Sequence, residues 1–196
     1  TGYNHVALGT NALKANTTAS GNVAVGLSAL TANTTGHANS ALGSTTLTNC
    51  TTGTQNTGIG HQVLNALTTG AYNTALGTNA GLVITTGSNN TLIGQGAGQD
   101  ITDGAYNTCL GFQTMTHDRN TNGNRNTVIG AFADTSSTNS DDQIILGYNV
   151  IGTGNNAFTF GKDGTDSNID FGATSITAPS DIRLKEDIKD ETVGLD

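Results

Sequence analysis

The sequence predicts an all-β fold, a parallel β-roll (solenoid) of 17-residue coils stacked along one axis. Three observations carry this. A glycine recurs at Gly9, Gly26, Gly43, Gly60, Gly77, Gly94, Gly111, Gly130, Gly147 and Gly161; the first six intervals are 17 residues and the last three are 19, 17 and 14. The residue before it is always large and apolar: Leu8, Val25, Leu42, Ile59, Leu76, Ile93, Leu110, Ile129, Leu146 and Phe160. Four residues before it runs an asparagine series, Asn22, Asn39, Asn56, Asn73, Asn90, Asn107 and Asn126, with His5 and Gln143 at its ends. A fixed period over most of a chain marks a repeat architecture. Seventeen residues are too few for a strand, a helix and two connections.

In each coil the first element is a strand of about four or five residues that ends at the glycine. Two places before the glycine stand Ala7, Ala24, Ala41, Gly58, Ala75, Leu92, Cys109, Val128 and Ile145; three before it, valines give way to Ser40, Thr57, Thr74, Thr91, Thr108 and Thr127. Successive side chains face opposite ways. Neither face carries charge, so both are expected to be buried. The large residues Leu42, Ile59, Leu76, Ile93 and Leu110 are assigned to the roll interior, and the small residues Ala24, Ala41, Gly58 and Ala75 to contact with another chain. A second strand is expected around Ala12-Leu13, Ala29-Leu30, Thr46-Leu47 and Val63-Leu64, though its apolar filler is lost at Gly81, Gly98 and Asp134. Turns rich in Asn, Thr and Gly follow, such as Asn33-Thr34-Thr35-Gly36, residues that accept tight backbone shapes. Nine or ten coils rising about 4.8 Å each make a stack about 45 Å long.

The 196 residues include one proline, no tryptophan and only 11% charged residues. Such polarity can mean disorder, but the strict period argues for order, with each coil burying its apolar face on its neighbours. From Thr1 to Gln99 the only charged residue is Lys14, and all 15 acidic residues lie from Asp100 onward. No basic stripe suits nucleic acid, and no apolar run is long enough for membrane insertion. The missing initiator methionine predicts a further N-terminal part. Cys50 and Cys109 occupy different slots more than three coils apart, which disfavours a bridge.

After Gly147 the pattern loosens. Residues 1–161 read as the β-roll. Residues 162–179 read as a neck of closing strands, with the polar turn Lys162–Asp166 and an alternating stretch from Asn168 to Ile176. Residues 180–196 differ in composition. They open with Ser180-Asp181-Ile182-Arg183-Leu184-Lys185, which read locally as a capped helix start.

That segment resembles the opening of the endosialidase-type intramolecular chaperone that ends many phage tail spikes and fibres. The repeat, Asn-Thr-Ala-Leu-Gly-x-x-Ala-Leu with Asn-Thr-Thr-Gly between, resembles repeats that often precede it and the head repeats of trimeric autotransporter adhesins. The repeat resemblance covers residues 1–161, and the chaperone resemblance only about ten residues. Together they imply a left-handed β-roll, a homotrimer, an extracellular place on a virion tail, and contact with other tail proteins. They imply self-cleavage at Ser180 assisted by Lys185 where the chaperone is complete; a serine hydroxyl with a desolvated lysine as base can do this chemistry. Residues 180–196 would be a truncated start of that domain.

No cofactor is expected. His5, His37, His61 and His117 lack metal-ligand spacing, no phosphate loop or nucleophile elbow is present, and apart from the self-cleavage the chain is not expected to be an enzyme. The two-residue insertion falls in the charged turn Thr116-His117-Asp118-Arg119-Asn120. Insertions in solenoids project from one face, so His117, Asp118, Arg119 and Arg125 are the candidate contact residues for a partner. Tyr72 and Tyr106 stand at equivalent turn positions and could stack on a sugar or pack in the turn. Two function classes follow. One is a structural and receptor-binding shaft of a trimeric phage fibre or spike, or a bacterial surface adhesin, that meets a host glycan or protein. The other is an ice-binding solenoid, suggested by the threonine series Thr17, Thr34, Thr51, Thr68, Thr85, Thr102, Thr121 and Thr138.

Overall fold

The structure is a computed structural model that describes residues 2–116 and 122–172. Among these the chain is all-β, with no helix, and forms a parallel β-solenoid of about nine coils of some 17 residues. The strands are β1 (Val6–Leu8), β2 (Val23–Val25), β3 (Ser40–Leu42), β4 (Thr57–Ile59), β5 (Thr74–Leu76), β6 (Thr91–Ile93), β7 (Thr108–Leu110), β8 (Thr127–Ile129), β9 (Ile144–Tyr148), β10 (Ala157–Lys162) and β11 (Ser167–Asp170). They form one sheet in chain order, parallel from β1 to β10. Like slots pair throughout: Thr57 with Thr74, Gly58 with Ala75, Ile59 with Leu76. β11 returns antiparallel along β10, with Phe158 opposite Ile169.

Two expectations are corrected. The first eight strands are three residues long, not four or five. Among the described residues no second strand forms, and only an isolated bridge between Asp134 and Ile151 marks its place. Leu13, Leu30, Leu47 and Leu64 sit instead in tight turns with φ of 48–53°. Ser28, Thr45 and Gln62, two residues earlier, are also left-handed. A regular strand cannot reverse direction in so few residues; alternating hands can. The coil-to-coil ladder continues through these turns all the same, Leu30 N–H donating to Thr46 O at 3.1 Å and Leu47 N–H to Val63 O at 2.9 Å. Each coil is thus bonded to the next on several sides, although only one side is regular strand.

The interior is narrow and filled by complementary sizes. Ala24 and Ala41 on the strand leave room for Leu30 and Leu47 from the turn, all buried. At Gly81 and Gly98 the filler comes from other slots. A Cβ on Gly81 would lie 2.8 Å from both Leu64 Cδ2 and Leu92 Cδ1, and one on Gly98 would lie 2.7 Å from Leu92 Cδ2. Leu92, Ile84 and Ile101 are fully buried and occupy the space that the missing leucines would have taken. Close packing at constant volume explains the exchange.

The asparagine series forms a buried ladder. Asn73 is fully buried; its N–H and its Nδ2 both donate to Asn56 Oδ1 at 3.0 Å, and Nδ2 also donates to Gly87 O at 2.9 Å. Its own Oδ1 accepts from Asn90 N and Nδ2, each at 3.0 Å. The ladder ends as the sequence suggests: His5 Nδ1 accepts from Asn22 N–H at 3.2 Å, and Gln143 N–H donates to Asn126 Oδ1 at 3.1 Å. Each Asn side chain satisfies backbone groups of the next coil, as Asn73 does for Gly87 O and Asn90 N–H, which a shorter or apolar side chain would leave unpaired. Asn73→Ala is therefore expected to cost about 2–5 kcal/mol, since each buried group left without a partner costs about 1–3 kcal/mol. Urea unfolding of the variant against the parent checks it; a change within 0.5 kcal/mol, the scale of neutral surface substitutions, would show the ladder to be dispensable.

Both cysteines are buried and unbridged. Burial pushes the Cys50 thiol up to about 11, and burial together with the Asp134 carboxylate pushes Cys109 higher still. The thiol of Cys109 lies 3.0 Å from Met115 Sδ in the core.

Candidate functional site

The strand faces are the reverse of the sequence expectation. The small residues point inward: Ala24, Ala41, Ala75 and, further along, Leu92, Cys109, Val128 and Ile145 are all buried. The large residues point out. Leu8, Leu42, Ile59, Leu76, Ile93, Leu110 and Leu146 are 36–67% exposed, with Val25 and Ile129 between them half-buried. The reason is room. The turn leucines and the asparagine ladder already fill the interior, so the strand can contribute only a small side chain there unless the turn gives up its own. The sequence signal for this was the pairing of small strand residues with Leu30, Leu47 and Leu64 in the same coil.

One sheet face therefore carries an unbroken apolar column from Leu8 to Leu146, flanked by a second outward column of Val6, Val23, Ser40, Thr57, Thr74, Thr91, Thr108, Thr127 and Ile144. The two columns run about 38 Å at strand spacing. They form an uncharged strip, and a continuous exposed apolar column of this kind marks a contact surface. Phe112 and Phe132 meet edge to face with centroids 5.2 Å apart, and Phe132 and Tyr148 at 6.0 Å. Ile151 is also exposed.

Of the predicted partner-contact residues, His117, Asp118 and Arg119 lie outside the described residues, as do Ser180 and Lys185 and the predicted helix start. Arg125 is described, exposed and ion-paired. Its Nε and Nη2 donate to Asp142 Oδ1 at 2.6 Å and Oδ2 at 2.8 Å, a two-pronged pair from one coil to the next. The hydrogen bond from Arg125 holds the Asp142 carboxyl below the usual range. Asp141 lies 3.8 Å from the same guanidinium and accepts from Asn124 N–H at 2.7 Å. This corner is a structural clasp between coils.

The threonine series is also engaged. Thr17, Thr34, Thr51 and Thr68 donate their hydroxyls to the carbonyl of the next threonine in the column at 2.9–3.2 Å. Thr85 donates to Asp103 Oδ1 at 2.6 Å, and with Thr86 it holds that carboxyl below its usual range. Histidines follow the same pattern, His37 Nδ1 accepting from Ser20 N–H at 3.0 Å. Among the described residues no three His, Cys, Asp or Glu side chains converge as a metal site, and no helix is long and apolar enough to cross a membrane. No protein-family model, curated protein or solved structure matches the chain.

Proposed function

We propose that the chain is a structural and receptor-binding segment of a trimeric fibre or spike of a phage tail, which mediates attachment to a host surface. The observation that carries this is the apolar column from Leu8 to Leu146 on one face of the solenoid. An interior cannot use it, because the interior is full. Water opposes it, since apolar area left exposed forgoes about 25 cal/mol per Å². Parallel copies arranged about an axis along the stack cover it and present identical outer faces. The number three, the left-handed roll, the virion location and the neighbouring tail proteins come from the resemblance of the repeat and of the segment that begins at Ser180.

A bacterial surface adhesin would use the same strip in the same way and differs in what the chain is joined to. An ice-binding role is the weaker reading, because the Thr17–Thr68 hydroxyls are spent on carbonyls of the chain itself and are not free to order water. The test is binding of labelled chain to a panel of bacterial strains, together with competition against phage adsorption. Saturable binding to a subset of strains is the expected result. Binding to none, with no effect on adsorption, would overturn the attachment role.

A further inference from the structure

At the corner five residues before each closing glycine, the middle coils place Gln55, Tyr72, Asn89, Tyr106 and Arg125 in one column, all exposed. Tyr72 is 57% exposed and Tyr106 61%. Packing in the turn would have covered them. Neither tyrosine hydroxyl and neither of the amides of Gln55 and Asn89 makes a hydrogen bond among the described residues, unlike the asparagines one place further on. The backbone beneath is fixed. All five residues have φ between 56° and 60°, a conformation that costs a bulky side chain energy. Tyr72 N–H donates to Thr54 O at 3.1 Å, Asn89 N–H to Ala71 O at 3.0 Å and Tyr106 N–H to Ser88 O at 3.0 Å. Coil spacing sets the backbones of the two tyrosines about 9.6 Å apart, with Asn89 between them in the column.

We propose that this column is a binding site for a neutral, extended oligosaccharide. Alternate pyranose rings would lay their C–H faces on Tyr72 and Tyr106, and the amides of Asn89 and Gln55 would bond the hydroxyls between. An aromatic ring with two torsions offers a large contact face at small entropic loss, and a rigid support saves the cost of ordering the site on binding. The ligand is uncharged because Gln55, Tyr72, Asn89 and Tyr106 carry no charge and Arg125, at the end of the column, is paired with Asp142. The column borders the apolar strip, two residues from the outer threonines, so it sits at the margin of any subunit contact. This inference rests on the attachment role and names the chemistry of what is recognised.

The chain has four tyrosines and no tryptophan, so its own tyrosine emission reports on the site. The probes are β-1,4-linked glucose and N-acetylglucosamine oligomers of two to six residues. The expected result is an emission change with at least one series, and an affinity at least 10-fold higher for four residues than for two. Tyr72→Ala and Tyr106→Ala should each lower that affinity 10-fold or more, and Tyr72→Phe should keep it within about threefold. No emission change up to millimolar sugar, or equal affinity in the alanine variants, overturns the inference. So does a fall in assembled mass in those variants, which would make the column a subunit contact. If the alanine variants still bind cells as the parent does, the sugar column fails and the attachment role stands; if the parent binds no cell, the attachment role fails.

Discussion

Gly77→Ala is expected to lower the unfolding free energy by about 3–5 kcal/mol, a large share of the 5–15 kcal/mol typical of a folded domain. Gly77 has φ of 124°, where side-chain-bearing residues are rarely found. A Cβ there would lie 2.6 Å from both the carbonyl carbon and the oxygen of Gly94 in the next coil, and 2.9 Å from Gln95 N. Those are backbone atoms and cannot swing aside. Gly94 is held in turn by its N–H donating to Leu76 O at 2.8 Å. Relief therefore means prising two coils apart, and in a stack where each coil contacts only its neighbours that breach divides the molecule. Gly154→Ala is the matched control: nothing lies within 4 Å of its Cβ position and its backbone is unstrained, so no loss is expected. Urea unfolding of both variants decides the matter. Equal stability of the two would mean that the stacked glycines are incidental.

The second large effect is on assembly. Leu76→Lys with Leu110→Lys is expected to leave the coil intact and abolish association, weakening it at least 100-fold. Both side chains point outward and are 44% exposed, while the residues that face the core beside them, Ala75 and Cys109, are untouched. An uncompensated charge taken out of water costs several kcal/mol, and each added copy would bring two more. The β-sheet circular dichroism of the variant should match the parent while its mass in solution falls to that of one chain. A variant that unfolds would instead place these leucines in the core.

The period, the parallel stacking, the asparagine ladder and its two end residues were all legible in the sequence, because each is a regular column of one residue type. The direction of the strand faces was not. Alternation alone separates Leu76 from Ala75 without saying which is inside; that depends on what Leu64 and Ile84 bring from the turns, a sum of volumes over neighbouring coils. The missing second strand was hidden for a related reason. Ala-Leu pairs at a fixed interval look like strand, but Leu47 and Leu64 are held left-handed by the tightness of the coil, against their own preference. The pairing of Arg125 with Asp142 was not legible, because the two lie 17 residues apart and meet only across neighbouring coils. The tyrosine pair was visible as a repeat position, and only its exposure and freedom from hydrogen bonds gave it meaning.

Other copies of the chain are expected to cover the Leu8–Leu146 column. Static light scattering on the purified chain, followed down a dilution series, tests it directly. A mass three times that of one chain, held through the micromolar range, is the predicted result. A mass of one chain at every concentration, with the solenoid folded and the column open to water, would contradict it.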